Sequence, residues 1–217
     1  MTREIRDKLL HISGERQTKS DPSHDIHHVT RVMNLAERIA KSVHADLDVV
    51  IAAACFHDVV VYQKNSPQSK NETDESAALA ETLLQSIEEY PSEKIPLVQE
   101  AIRQCSYSKG IIPDLLEAKV LQDADRLEAT GAISIMRTFS SGGQMNQQFY
   151  RPEDPFCEKG EPVAHGSGLD LFYRRLLLVE QGMHTDYAKK LAKPRTSFLH
   201  SFLDELRLEL KESGIIE

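Results

Sequence analysis

The stretch Leu47-Asp-Val-Val-Ile-Ala-Ala-Ala-Cys-Phe-His-Asp-Val-Val-Val61 reads as an apolar helix that runs into an adjacent histidine and aspartate. From Leu47 to Phe56 its only polar residue is Asp48, so a helix here is apolar nearly all round and belongs at the centre of a fold. Asp46 is a suitable N-cap, and three valines weaken helical preference after the dyad, so the helix is predicted to end near residues 58 to 60. His57 and Asp58 then stand where a buried helix ends. A neutral imidazole beside a poorly solvated carboxylate suits a borderline divalent cation. The alternative makes His57 a helix C-cap and Asp58 a solvated turn residue. His24-Asp25 is a second such pair in a chain with nine histidines, so the dipeptide alone does not decide between the readings.

Outward from this helix the chain reads as further helices joined by loops. Thr2 to about Ile12 reads as a short amphipathic helix, followed by a polar segment, Ser13 to Pro22. Ser23-His-Asp-Ile-His-His28 opens a long helix to Val43, with Val29, Val32, Met33, Leu35, Ala36, Ile39, Ala40 and Val43 at helical spacing. After the dyad comes a polar loop, Tyr62 to Lys70. A helix is predicted after Asn71, with Ala77, Ala78, Leu79, Leu83, Leu84 and Ile87 inward. Tyr90-Pro91-Ser92 breaks it, and a further helix is predicted over Glu93 to Ser106 with Ile95, Val98, Ala101 and Ile102 inward. Gly110 and Pro113 mark a turn. Asp114 to Leu127 is again helical in pattern and continues toward Phe139.

Residues 140–167 differ, because Ser-Ser-Gly-Gly, Arg-Pro-Glu-Asp-Pro and Gly-Glu-Pro mark a long loop, the place to look for a substrate lid. Helices over Gly168 to Gln181 and Thr185 to Ser213 close the chain. Only Val59-Val-Val61 offers anything strand-like. The expected fold is all-α, one domain over residues 1–217, with a core at about 20–140 and C-terminal helices at about 168–214.

A net charge of -8, from 26 Lys and Arg against 34 Asp and Glu, argues against a general nucleic-acid surface. No apolar run approaches a membrane span, and Met1-Thr-Arg-Glu-Ile-Arg-Asp-Lys8 has no signal-peptide core, so a cytoplasmic protein without membrane attachment is expected. Cys55, Cys105 and Cys157 have no paired spacing, which favours reduced thiols.

Three polar clusters interrupt core-forming helices: His24 to Arg31, His57-Asp58, and Asp123-Ala-Asp-Arg126. His24 and His28 are four apart, as are His27 and Arg31, so each pair can share a helix face. Asp123 and Asp125 are two apart, and only one of them can point at a given site.

His28-Val-Thr-Arg31-Val32, then His57-Asp58, then Ala124-Asp125-Arg126-Leu127, in that order and on helices, resembles the HD superfamily of metal-dependent phosphohydrolases. Ser23 to His28, Gln122 to Ala132 and Thr185 to Leu206 resemble more narrowly its small stand-alone bacterial proteins. The resemblance implies an all-α core holding one divalent cation on His28, His57, Asp58 and Asp125, with Mn ahead of Mg, Fe, Ni, Co or Zn. His28 is preferred to His27 for its spacing to Arg31-Val32, and Asp125 to Asp123 because it directly precedes Arg126-Leu127. Asp123 is then either an acceptor for a histidine N–H or a surface aspartate. Two imidazoles and two carboxylates neutralise a divalent ion and leave positions for water and a phosphate oxygen.

The chain departs from some relatives. Members with two metals carry further histidines after the dyad, whereas here none lies between His57 and His165, and Cys105-Ser-Tyr-Ser stands where one would be expected. The Glu-Asp pair of guanosine-tetraphosphate hydrolases is replaced by Val61-Tyr62, and the Gly-Tyr-Pro signature of cyclic-dinucleotide phosphodiesterases is absent. The implied reaction is hydrolysis of a nucleotide phosphoanhydride or phosphoester, a nucleoside triphosphate split to monophosphate and pyrophosphate being preferred. Asp58 would act in catalysis as a ligand. Arg31 and Arg126 are the phosphate-clamp candidates, although either can instead form a structural ion pair. Lys64 and Lys70 could reach a triphosphate. Glu75 or Glu72 could serve as a base, or simply dress a helix N-terminus. A monomer or homodimer acting on a small phosphorylated molecule is expected. A non-catalytic nucleotide or metal sensor working through a partner is the alternative.

Overall fold

The computed structural model describes residues 1–16, 25–62 and 66–217. Among these the chain is all-α, with α1 Arg3–Arg16, α2 Ile26–Val43, α3 Leu47–Phe56, α4 Glu72–Gln85, α5 Ile95–Gln104, α6 Leu116–Arg126, α7 Ala132–Gln144, α8 Gly168–Arg174 and α9 Asp186–Glu212. It forms two compact units, Met1–Asp125 and Arg126–Glu217. No helix among the described residues is long and apolar enough to cross a membrane.

α3 is the axis of the first unit and packs against α1, α2, α4 and α5. Every residue from Val49 to Phe56 is buried, as a helix apolar on all faces requires. Ala52, Ala53 and Ala54 keep the contact with its neighbours close, so enlarging any of them overpacks the core at a cost of about 1–3 kcal/mol. Asp46 caps α3 as expected, its Oδ1 accepting from the backbone N–H of Asp48 at 2.9 Å. α3 ends at Phe56, slightly earlier than its sequence suggested; the dyad itself forms a turn, and the valines after it run on as bends and irregular chain, not a strand.

Asp25 is the N-cap of α2, its Oδ1 accepting from the backbone N–H of His28 at 2.9 Å. The second histidine–aspartate pair therefore supplies a helix cap, worth about 1 kcal/mol. His24 lies outside the described residues. α1 runs on to Arg16, past the predicted end at Ile12, because Ser13 is buried and its hydroxyl donates to the Cys55 carbonyl at 2.8 Å. On α4 the buried face is Thr73, Ser76, Ala77, Ala80, Leu83 and Leu84. Ala78, expected inside, is exposed. On α5 the inward residues are Ile95, Val98, Ala101 and Ile102, as read.

The predicted continuous helix from Asp114 toward Phe139 is interrupted. α6 stops at Arg126, a short 3-10 turn covers Leu127–Ala129, and Gly131 at φ 82 turns the chain before α7 begins. A left-handed φ of that kind is open to glycine and strained for other residues. Since α7 extends to Gln144, the non-helical stretch starts at 145 and not at 140.

The second unit centres on Phe156, Leu169, Phe172, Leu176, Leu199 and Leu203. Phe172 stacks on Phe202 with ring centroids 5.7 Å apart. The 145–167 stretch is tied down and not splayed. Buried Asp170 accepts from the backbone N–H groups of Val163 and Ser167 and from the Ser167 hydroxyl, each at 2.7 Å, and from Arg151 Nε at 3.2 Å. Burial pushes the Asp170 carboxyl up, but these donors outweigh it and hold the group at about 2.

Candidate metal centre

His28 sits in the first turn of α2, three residues past the Asp25 cap, and is fully buried, while His27 before it is exposed. His57 is the C-cap of α3 and is also buried. Its Nδ1 lies 2.9 Å from the Ala54 carbonyl oxygen. A carbonyl only accepts, so Nδ1 carries the proton and Nε2 keeps its lone pair. That Nε2 is buried and has no hydrogen-bond partner among the described residues.

Two carboxylates face the imidazoles. Asp58 Oδ2 is 3.7 Å from His28 Nε2 and 3.5 Å from His57 Nε2. Asp125 Oδ1, from the last turn of α6, is 3.6 Å from His28 Nε2 and 4.0 Å from His57 Nε2. His28, His57 and Asp125 offer donor atoms that all lie within 4.8 Å of one another. The histidine rings are tilted at 56° with centroids 5.6 Å apart.

An acceptor nitrogen aimed at carboxylate oxygens is repulsive unless something positive lies between them. A buried lone pair without a donor costs on the order of 1–3 kcal/mol. The donor set, two imidazoles and two carboxylates, matches what a divalent transition ion prefers. Each histidine–carboxylate separation is also less than twice a metal–ligand bond of about 2.1 Å. The residues present fit a divalent cation. Both histidine side chains are sealed, whereas Asp58 and Asp125 are 28% and 34% exposed, so the cluster opens to solvent on its carboxylate side.

The other sequence-derived candidates fall in different surroundings. Asp123 is fully buried and so is not a surface aspartate. Arg31 lies three residues after His28 on the same face of α2 and is half-buried. Arg126 opens the second unit, is 3% exposed, and donates through Nη1 to the Gly182 carbonyl. Lys64 lies outside the described residues, and Lys70 is exposed, its carbonyl accepting from Lys109 Nζ at 2.6 Å. Glu75 accepts from the Tyr62 hydroxyl, a bond that raises the phenol's pKa. Glu72 Oε1 accepts from the Tyr62 backbone N–H at 2.8 Å.

Cys105, at the expected place of a further histidine, is buried at the end of α5. Burial first, then the negative charges of Asp58 and Asp125, push its thiol far up, which keeps it protonated. Tyr62 and Ser76 went unnoticed in the sequence. The signal available was the i, i+3, i+4 spacing of Glu72, Glu75 and Ser76 on one face of α4.

The HD domain model matches residues 25–130, which contain all four residues of the cluster. YpgQ of Bacillus subtilis is 30% identical over 206 residues, covering 89% of this chain and 87% of YpgQ. The crystal structure of YpgQ in complex with ADP superposes with a TM-score of 0.72 over 97% of this chain and all of that one, at 27% identity. A Lactobacillus plantarum protein of solved structure gives 0.77 at 27% identity, covering 98% and 99% of the two chains. An HD-superfamily hydrolase from Bacillus thuringiensis gives 0.72 at 27% identity over 96% and 97%.

Proposed function

The chain belongs to the HD-domain family, and from that premise we propose that it is a metal-dependent phosphohydrolase acting on a nucleotide, with nucleoside triphosphate cleaved to monophosphate and pyrophosphate as the preferred reaction. The observation that carries the reading is the buried Nε2 of His57, stripped of any donor by the Nδ1 bond to Ala54 and aimed at two carboxylates. Such a nitrogen is a ligand in waiting. His28, His57, Asp58 and Asp125 would hold one ion, Mn ahead of Mg, Fe, Ni, Co or Zn. The nucleotide class is supported by the ADP complex of YpgQ.

When bound, a divalent cation supplies Lewis-acid polarisation of a phosphate oxygen and an acidified water. The protein's own residues do the rest. The Ala54 carbonyl fixes the His57 tautomer and ring plane. The Asp25 cap fixes the start of α2 and hence the reach of His28. The buried imidazoles close the inner side against water, and the part-exposed carboxylates leave the outer side for a phosphate group. Arg31, one turn along α2 from His28, is the arginine we propose to offset phosphate charge with paired hydrogen bonds.

The test is a panel of nucleoside mono-, di- and triphosphates incubated with metal-reloaded protein, the products resolved as phosphate or pyrophosphate. Release of pyrophosphate with a nucleoside monophosphate supports the preferred reaction. No hydrolysis of any member with Mn, Co or Mg would refute the enzymatic reading.

A further inference from the structure

Asp58 stands beyond the end of α3, where helical hydrogen bonding no longer fixes the backbone. Two anchors flank it. Behind, the Val59 N–H donates to the Phe56 carbonyl at 3.3 Å. Ahead, the buried hydroxyl of Ser76 accepts from the Val60 N–H at 3.2 Å and lies 3.4 Å from the Val60 carbonyl oxygen as a donor. Two residues further on, the Tyr62 N–H donates to Glu72 and the Tyr62 hydroxyl to Glu75. Ser76, Glu72 and Glu75 all belong to the first turns of α4. The segment leaving the dyad is therefore laid along one face of one helix by four contacts. α4's own start is pinned in turn by Lys109 Nζ, which donates to the Thr73 hydroxyl and the Lys70 carbonyl, each at 2.6 Å.

From this arrangement we infer that Glu72 and Ser76 are positioning residues that hold the segment after Asp58, and so aim its carboxylate into the histidine pair. The inference rests on the metal-centre reading above. It also reassigns the α4 acids. A carboxylate whose oxygen already accepts a backbone N–H is engaged as an acceptor, and an amide oxygen would serve in its place. A general base would lose its function on the same change.

The experiment titrates the metal-free full chain with Mn2+ and, separately, Co2+, following affinity calorimetrically and Co2+ by its visible spectrum. It compares wild type with Glu72→Gln, Glu72→Ala and Ser76→Ala. Partners that orient metal ligands typically change affinity by about 10–100-fold when removed. Glu72→Ala and Ser76→Ala should bind both ions about tenfold or more weakly, with altered Co2+ spectra and unchanged helical content. Glu72→Gln should bind like wild type and, on any nucleotide the wild type hydrolyses, keep its pH profile. The charge lost in Glu72→Gln removes the acid's interaction with the helix dipole, so near-normal binding also separates positioning from dipole compensation. Wild-type affinity in both Glu72→Ala and Ser76→Ala would overturn this inference while leaving the metal centre standing. Glu72→Gln with normal affinity but no turnover would overturn it in favour of a base. A wild-type chain that binds neither ion would overturn the metal centre and this inference with it.

Discussion

His57 Nδ1 lies 2.9 Å from the carbonyl oxygen of Ala54, three residues back along α3. One bond thus completes the C-terminal turn of the helix and decides which imidazole nitrogen is left to act. Sequence reading set a C-cap against a metal ligand as rival roles for His57. In the structure the residue is the C-cap of α3 and its other nitrogen faces Asp58 and Asp125. The two roles use opposite edges of the ring.

Asp58→Ala should lose most bound metal and all hydrolysis while keeping the fold. The side chain is 28% exposed and lies past the end of α3, so its removal deletes little core. The check is metal content by elemental analysis beside far-ultraviolet circular dichroism. A variant with unchanged metal content and wild-type turnover would show that Asp58 is no ligand.

Arg126→Ala should lower the melting temperature. The guanidinium is buried and donates to the Gly182 carbonyl, and a Cβ built on Gly182 would come within 2.8 Å of its Nη1. Removing it strands a carbonyl and opens space, together on the order of 2–4 kcal/mol. If Arg126 also clamps phosphate, turnover of the still-folded protein falls by roughly a hundredfold. Measuring melting and turnover on the same variant separates these effects. A destabilised but fully active protein assigns Arg126 to structure alone.

Asp170 gives the second unit a stability that depends on acid in a defined direction. Its carboxyl is held at about 2, below the ordinary aspartate value of about 3.9. A depressed pKa contributes stability that is complete above the unfolded value and lost as pH falls through the folded one. The contribution, on the order of 2 kcal/mol, is therefore present above about pH 4 and gone below about pH 2. Asp170→Asn should melt lower than wild type at pH 7 and show a flatter loss between pH 4 and pH 2. Parallel acid curves for the two proteins would refute the assignment.

How much of this was readable in advance depended on whether a residue's partner was local. α3 announced itself because Val49 to Phe56 are apolar on every face, and the inward stripe of α5 repeated at helical spacing. His28 over His27 rested on spacing to Arg31-Val32, and the structure buries the first and exposes the second. What stayed hidden needed a distant partner. Ser13 looked like the start of a polar linker, and only the carbonyl of Cys55, 42 residues on, makes it a buried helical residue. The break between α6 and α7 turns on the positive φ of Gly131, which a glycine in a helical pattern does not disclose. The part played by Ser76 gave no sequence signal of its own, because its partner is a backbone group 16 positions earlier.

Metal binding should appear as heat stability. Without a cation, the cluster keeps two carboxylates within 4.0 Å of imidazole nitrogens, and the Nε2 of His57 buried with no donor. That arrangement is tolerated in the fold but not favoured by it, so an ion that binds only the folded chain stabilises it by mass action. At a hundredfold excess over its dissociation constant the gain is about 2.7 kcal/mol, or a rise of roughly 5–10 °C for a chain of this size. Chelated protein should therefore melt lower than protein reloaded with Mn2+, with one ion per chain at saturation. The difference should shrink as the medium is acidified, because protons compete for the ligands. In Asp58→Ala the rise should be largely lost, since one of two neutralising carboxylates is gone. Equal melting of chelated and reloaded wild-type protein, or two tightly held ions per chain, would contradict the single four-residue site.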